Sequence, residues 1–226
     1  NPHGTRNGLA DALGVDRAAV RVVTPDVGGG FGAKHGLYPE EVLVAWLARH
    51  LSRPVRWVET RTESMLSLGP GRGQIQHATL GGNRDGTLLA YRLHLVHDVG
   101  AYPAGATLLP YMTRLMATGV YDIRSVDVDI VDVVTNTTPA EAYRGAGRPE
   151  ATAAIERVVD VFAAEIAMDP AVVRRRNLIA PTAFPYTTAT KASYDSGDYA
   201  AALERALSAA GYERLRAEQQ ERRARN

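Results

Sequence analysis

Asp26-Val-Gly-Gly-Gly-Phe-Gly-Ala-Lys34 places four glycines in the five positions 28–32 and so presents backbone almost bare of side chains. Glycine tolerates positive φ and close backbone approach, so a flat or anionic ligand can come near the amides of such a loop. A second loop, Asn136-Thr-Thr-Pro-Ala-Glu-Ala-Tyr-Arg-Gly-Ala-Gly-Arg-Pro149, again sets glycines ahead of a helix, here around Arg144 and Arg148. His94 and His97 are three apart on a predicted strand and face opposite sides, which argues against a shared metal ion. Glu40 and Glu41 are read as stabilising a helix N-terminus. His3, His35, Arg61 and Glu63 have no partner visible in the spacing, and no Ser/His/Asp arrangement is discernible.

Three kinds of chemistry compete for the first loop on local spacing alone. A Walker-type phosphate loop needs Ser or Thr after its Lys, but Lys34 stands between Ala33 and His35, so the metal-binding hydroxyl is missing. A dinucleotide fingerprint fits Gly28-x-Gly30-x-x-Ala33, with Glu59 placed as a ribose-binding acid. That reading predicts a nicotinamide- or flavin-linked dehydrogenase using Gly28, Gly30 and Ala33. The third reading is a non-catalytic structural domain in which both glycine loops only turn the chain.

The elements that must position these loops follow from periodicity. Residues 5–13 read as a short helix stopped by Gly14, and Val20-Arg-Val-Val-Thr24 as a strand before the glycine loop. A helix from Pro39 carries Val42, Leu43, Trp46 and Leu47 at helical spacing and ends before Ser52-Arg-Pro54. Val55-Arg-Trp-Val58 reads as a second strand, so residues 20–58 are expected to form a strand–helix–strand unit. Period-two alternation places Leu89, Tyr91, Leu93 and Leu95 on one face with Arg92 and His94 on the other, and Gly81–Gly86 as the turn of a hairpin between 74–80 and 87–99. Val126, Val128 and Ile130 alternate with Asp127 and Asp129 in a further strand. A helix opened by Pro149 buries Ala151, Ile155, Val158, Phe162 and Ile166. Asp169-Pro170 caps the next helix, residues 180–194 form a loop, and Asp198 caps a last helix to about Ala210.

These elements predict an α/β to α+β domain with mixed sheets and packed helices over residues 1–212, with a lobe division near 70. Residues 213–226 are expected to be a charged, solvated or fraying helix. The 226 residues carry a formal net charge of +1 with 45% hydrophobic content, which gives no reason to expect nucleic acid as a partner. Cysteine is absent, so thiolate nucleophiles, disulfides and cysteine-ligated metals are excluded within the chain. No run is long and apolar enough for a membrane span, and a soluble, cytoplasmic protein is expected. The abrupt polar start at Asn1 without Met suggests a fragment or a processed product of something longer.

Taken in order, Gly28-Gly-Gly-Phe-Gly-Ala-Lys34, Tyr38-Pro-Glu-Glu41, Asp98-Val-Gly-Ala-Tyr102, Ala142-Tyr-Arg-Gly-Ala-Gly-Arg-Pro-Glu-Ala151 and Met168-Asp-Pro-Ala-Val-Val-Arg-Arg-Arg-Asn-Leu178 resemble the molybdenum-binding large subunit of the xanthine dehydrogenase, aldehyde oxidase and carbon monoxide dehydrogenase-like family. The resemblance covers nearly the whole chain and displaces the dinucleotide reading. It implies the family's first molybdenum-cofactor-binding domain and a site for molybdopterin or molybdopterin cytosine dinucleotide, with oxo, sulfido and hydroxo ligands on the molybdenum. The full enzyme would hydroxylate an aldehyde or N-heterocycle with water-derived oxygen and pass electrons through iron–sulfur clusters to FAD on partner subunits. It further implies cofactor binding by Gly29, Gly30, Phe31, Gly32 and Arg144. Phe31 and Gly32 would offer amides to a molybdenum ligand, and Arg144 would be the catalytic candidate. His35, Arg114, Gly145 and Ala146 would line a substrate funnel, and no side chain would ligate the metal directly.

Departures from the family pattern narrow the reading. Gly145 stands where true carbon monoxide dehydrogenases carry Cys, so a copper-bridged site is not supported. Ala146 replaces the purine-stacking Phe of xanthine dehydrogenases, and His35 replaces an acid. The family's general-base Glu lies beyond residue 226 and a molybdenum-contacting Gln before residue 1. The isolated chain is therefore expected to be inactive and free of cofactor, with the remaining domains of its large subunit, iron–sulfur and FAD subunits and a small-molecule substrate as partners.

Overall fold

A computed structural model describes residues 1–103 and 105–225. In chain order the elements are α1 (Pro2–Leu13), α2 (Pro39–Leu51), α3 (Arg61–Ser67), β1 (Gln74–Gly82), β2 (Leu88–Gly100), α4 (Leu108–Leu115), β3 (Ser125–Val134), α5 (Arg148–Glu165), α6 (Pro170–Asn177), the two-residue strands β4 (Tyr186–Thr187) and β5 (Ser193–Tyr194), α7 (Tyr199–Ala210) and α8 (Tyr212–Arg225). They fall into two compact units. The first holds residues 1–74, 97–110 and 132–147, and the second holds 75–96, 111–131 and 148–225. Both β2 and β3 therefore contribute residues to each unit.

β1, β2 and β3 form one sheet in that order, and β4 and β5 pair antiparallel as Tyr186 with Tyr194 and Thr187 with Ser193. The turn between β1 and β2 is closed by Asn83 N–H to Thr87 C=O at 2.9 Å and Gly86 N–H to Asn83 C=O at 2.9 Å, and so short a connection makes the pair antiparallel. Side chains on β2 and β3 meet at a constant offset of 35 residues: Arg92 with Asp127, His94 with Asp129 and His97 with Asp132. A fixed difference, rather than a fixed sum, means parallel strands, and the connection through α4 has the length a parallel crossover needs.

The core of the second unit gathers Leu88, Tyr91 and Leu93 of β2 with Ile155, Val159, Phe162 and Ala163 of α5, joined by Tyr121, Ile123 and Val173. The predicted α5 stripe is thus the one that packs. On β2 the buried set starts at Leu88, while Leu89 is 51% exposed, so the alternation with Tyr91 holds only from Tyr91 onward. Asn177 is buried and fastens the β1–β2 turn to α6. Its Oδ1 accepts from Leu88 N–H at 2.8 Å, and its Nδ2 donates to Gly86 C=O at 2.8 Å and Val173 C=O at 2.7 Å. Burial opposes the charge on Arg174, but hydrogen bonds to Asp160 and ion pairing with Glu156 more than offset this and raise its pKa. Burial alone pushes the Tyr91 phenol up to about 12, and its hydroxyl has no partner among the described residues.

The expected strands at 20–24 and 55–58 are absent: both stretches lack regular structure and carry no ladder. An alternating or apolar run becomes a strand only where a neighbour takes its N–H and C=O groups, and none of the described residues does so here. The helices α3 and α4 and the β4–β5 pair were not expected. Thr60 and Glu63 cap α3 reciprocally, Glu63 N–H to Thr60 Oγ1 at 3.2 Å and Thr60 N–H to Glu63 Oε2 at 2.6 Å.

Candidate functional site

The first loop follows the irregular residues 20–27 and coils through positive φ at Gly29 (121°), Phe31 (52°) and Gly32 (100°). Its turn closes where His35 N–H donates to Gly32 C=O at 3.0 Å. The backbone N–H groups of Gly29 to Lys34 have no hydrogen-bond partner among the described residues. Gly32 admits no other residue, since a Cβ there would lie 2.0 Å from the carbonyl oxygen of Ala142. That contact brings the first loop against the second.

The second loop turns through Gly145 (φ 97°), Ala146 (φ 43°) and Gly147 (φ 87°), and Ala146 N–H donates to Tyr143 C=O at 2.7 Å. The Arg144 guanidinium lies 5.6 Å from the centroid of the half-exposed Phe31 ring. Such a cation–aromatic contact holds the positive charge beside the row of free amides. Of the residues singled out from sequence, the fold thus brings together Gly29, Gly30, Phe31, Gly32, Gly145, Ala146 and Arg144. His35 follows at the end of the first turn and is exposed. Arg114 stands on α4, in the second unit.

Arg72 is the participant that sequence reasoning missed. Its guanidinium donates to the carbonyls of Tyr143 (3.3 Å) and Arg144, and lies 4.9 Å from the Tyr143 ring centroid. Glu141 N–H donates to Pro70 C=O at 3.0 Å, and a Cβ on Gly71 would lie 2.6 Å from Tyr143 Cβ. The segment Gly69-Pro-Gly-Arg-Gly73 is therefore a clamp on the second loop. Alternating glycines in it were the available signal.

The Asp98 block supports the same loop from below. Asp98 accepts from Thr135 Oγ1 at 2.7 Å, Gly100 N–H at 2.8 Å and Thr137 Oγ1 at 3.2 Å, and these bonds, Thr135 foremost, hold its carboxyl below the usual carboxylate range. Val99, Ala106, Leu109 and Ala140 form a small core against which Ala142 and Ala146 pack. His97 is fully buried, with Nδ1 3.0 Å from Asp132 Oδ1 and Nε2 unpartnered among the described residues. His94 faces the opposite side and meets Asp129 at 2.7 Å.

On the other flank, Lys34 Nζ pairs with Glu59 at 3.3 Å and the Tyr38 hydroxyl donates to Ala33 C=O. Burial first, then the carboxylates of Glu141 and Glu59, raise the Tyr38 pKa and keep it a donor. Glu41 Oε2 accepts from Tyr38 N–H at 2.9 Å, the helix-stabilising role read from the sequence. The dinucleotide reading loses its premise here. The loop does not leave a hydrogen-bonded strand, α2 opens only at Pro39, and Glu59 is engaged by Lys34. Among the described residues no group of three or more acidic or histidine side chains is placed to hold a metal ion, and no helix is long and apolar enough to cross a membrane. What the two loops offer is a row of unengaged backbone donors beside a guanidinium, an arrangement suited to oxygen acceptors bearing negative charge.

A model of the molybdopterin cofactor-binding domain matches residues 1–178. The carbon monoxide dehydrogenase large chain of Hydrogenophaga pseudoflava is 40% identical over 227 residues, which cover 99% of this chain and 28% of that protein. Quinoline 2-oxidoreductase from Pseudomonas putida 86 is similar in structure with a TM-score of 0.93 at 34% identity, over 99% of this chain and 29% of that one. The aldehyde oxidoreductase of Desulfovibrio gigas is similar with a TM-score of 0.70 at 28% identity, over 79% of this chain and 20% of that one. The chain spans less than a third of the length of each of these relatives.

Proposed function

The chain belongs to the molybdopterin cofactor-binding domain family, and we propose that it lends two loops to the molybdenum site of a hydroxylase large subunit. The observation that carries this reading is the row of unengaged N–H groups from Gly29 to Lys34 held beside the Arg144 guanidinium. The residues present fit the group: Gly32 leaves no space for a side chain against Ala142, and around Gly28 the space is open. Molybdopterin, as such or as its cytosine dinucleotide, supplies when bound a metal centre that accepts two electrons as substrate is hydroxylated with oxygen from water.

The roles of this chain's own residues follow. Gly29 and Gly30 keep side chains out of the way of the cofactor. Phe31 and Gly32 would donate their amide hydrogens to a ligand of the metal, as preorganised dipoles that need no reorganisation when charge develops. Arg144 offsets negative charge at the same place and is the catalytic candidate, with Arg72 holding its backbone. His35, Gly145 and Ala146 shape the approach of substrate. Arg114, on α4 in the second unit, is kept as a further candidate for the substrate funnel.

The substrate class is an aldehyde or an aromatic nitrogen heterocycle. The likeness to enzymes named for quinoline and for aldehydes supports it. Carbon monoxide is disfavoured despite the 40% identity to a carbon monoxide dehydrogenase chain, because Gly145 carries no thiol. With the cofactor bound, electrons would pass to iron–sulfur clusters and FAD on partner subunits, and the proposed compartment is the cytoplasm. A chain that spans less than a third of its relatives' length is proposed to be inactive by itself.

The test is Arg144→Met in the assembled large subunit. Turnover of aldehyde or heterocycle should fall by roughly 100-fold, with molybdenum per subunit unchanged by elemental analysis. Full turnover in the variant, or a wild-type large subunit that holds no molybdenum, overturns the reading.

A further inference from the structure

A glycine loop can turn either N–H or C=O groups toward a ligand, because the two lie on opposite edges of each trans peptide plane and a half-turn of the plane exchanges them. Glycines oppose that rotation least. For a ligand bearing negative charge the exchange replaces an attraction by a repulsion, so a loop of donors needs something that holds its carbonyls on the far side. In the first loop two carbonyls are held. Gly32 C=O accepts from His35 N–H at 3.0 Å, and Ala33 C=O accepts from the Tyr38 hydroxyl, whereas no described residue takes the carbonyls of Gly28 to Phe31.

Tyr38 is itself fixed in place. Its N–H donates to Glu41 Oε2 at 2.9 Å at the start of α2, Lys34 Nζ lies 5.5 Å from its ring centroid, and Lys34 pairs with Glu59 at 3.3 Å. The side chain is half-buried, and after burial the carboxylates of Glu141, Glu59, Glu40 and Glu41 raise its pKa. A phenol in that company keeps its hydrogen, and only the protonated form can donate to a carbonyl. Glu141 belongs to the second loop, so the hydroxyl stands where both loops are within electrostatic reach.

We propose that Tyr38 is a positioning residue for the molybdenum site: by holding Ala33 C=O it fixes the Ala33–Lys34 peptide so that Lys34 N–H, and with it the end of the donor row, faces the ligand. The inference rests on the reading of the two loops as part of that site. Arg72 takes the carbonyls of Tyr143 and Arg144 in the same manner, so each loop is held through its acceptors by one side chain from outside it. Without the Tyr38 hydroxyl, the bond from His35 to Gly32 is the one hydrogen bond left on the backbone of residues 28–34 among the described residues. The Phe31 and Gly32 amides, just upstream, then lose part of what fixes their direction.

The test is Tyr38→Phe in the assembled, molybdenum-loaded large subunit, a change that keeps the ring, the helix start and the Lys34 contact and removes only the hydroxyl. At wild-type molybdenum content, kcat for aldehyde or heterocycle should fall roughly 10–100-fold with KM unchanged. The electron paramagnetic resonance of the half-reduced metal should shift, and peptides covering 29–36 should exchange their amide hydrogens faster. A tyrosine that only supports the fold would lower the melting temperature and the molybdenum content while kcat per molybdenum and the resonance stay as in wild type, and that result overturns the proposal. So does a loaded variant indistinguishable from wild type. Where Tyr38→Phe does not assemble, a fluorinated tyrosine at position 38 keeps the shape and acidifies the phenol: turnover should then be lost reversibly at a lower pH than in wild type, and an unchanged pH profile overturns the proposal. A wild-type large subunit without molybdenum fails the functional reading and this proposal with it, whereas a normal Tyr38→Phe beside a crippled Arg144→Met overturns the proposal alone.

Discussion

Replacing Asn177 by Leu tests whether the Met168–Leu178 block is a structural fastener rather than a part of the chemistry. The wild-type side chain makes three short hydrogen bonds, to Leu88 N–H, Gly86 C=O and Val173 C=O, and is 6% exposed. Leucine is of similar size, so the site stays filled, but Leu88 N–H and Gly86 C=O are left without partners away from water. Each stranded buried group costs about 1–3 kcal/mol, and the added apolar burial returns part of that, for a net loss of about 3 kcal/mol. Urea unfolding followed by circular dichroism should register this, along with a melting temperature lower by roughly 10 °C. The neighbouring Arg176→Ala is the control. Its side chain is 42% exposed and pairs with Asp85 at 3.3 Å, so a loss of about 0.5 kcal/mol is expected. A loss below about 1 kcal/mol for Asn177→Leu, or equal losses for the two variants, would refute the reasoning.

Three further outcomes follow from the same structure. Gly32→Ala forces a side chain into the Ala142 carbonyl at a φ of 100°, and should destabilise the first unit by at least about 2 kcal/mol, read as faster exchange of residues 140–147. Tyr91→Phe removes a buried hydroxyl that has no partner and should raise stability in urea at neutral pH by up to about 1 kcal/mol. Because the folded-state pKa of Tyr91 is raised to about 12, folding disfavours its ionisation, so wild-type stability should fall as pH rises above about 10 and fall less in the variant. Asp98 has a lowered pKa, so its contribution is complete at neutral pH and is lost as pH falls below the ordinary carboxylate value of about 3.9. Asp98→Asn should therefore be less stable than wild type at pH 7 and converge with it in acid.

Local pattern was enough for the helices α2, α5 and α6 and for the β1–β2 hairpin, because capping residues, apolar spacing and turn glycines act over a few positions. The two glycine loops were visible for the same reason. Their meeting was not, since Gly32 touches Ala142 only because β2 and the segment after β3 bring the second loop back. The strands at 20–24 and 55–58 were over-read: their composition states what they do given a neighbour, and the neighbour is not local. Leu89 was assigned to the buried face because alternation was counted from it, while the turn hands that place to Leu88. Helix α4 escaped notice, a segment of eight residues with Pro110 in its first turn, and Arg72 because a clamp on carbonyls 71 and 72 residues downstream has no spacing signature.

The contact between Gly32 and Ala142 also sets a schedule. The two residues are 110 positions apart, and ribosomes add about 5–20 residues per second. The first loop is therefore made roughly 5–20 s before the carbonyl it must rest against exists. Throughout that interval its amides and the valines before it are open to solvent and to chaperones. Synonymous changes that slow translation between the two loops should lengthen this exposed phase without altering a single contact in the finished protein.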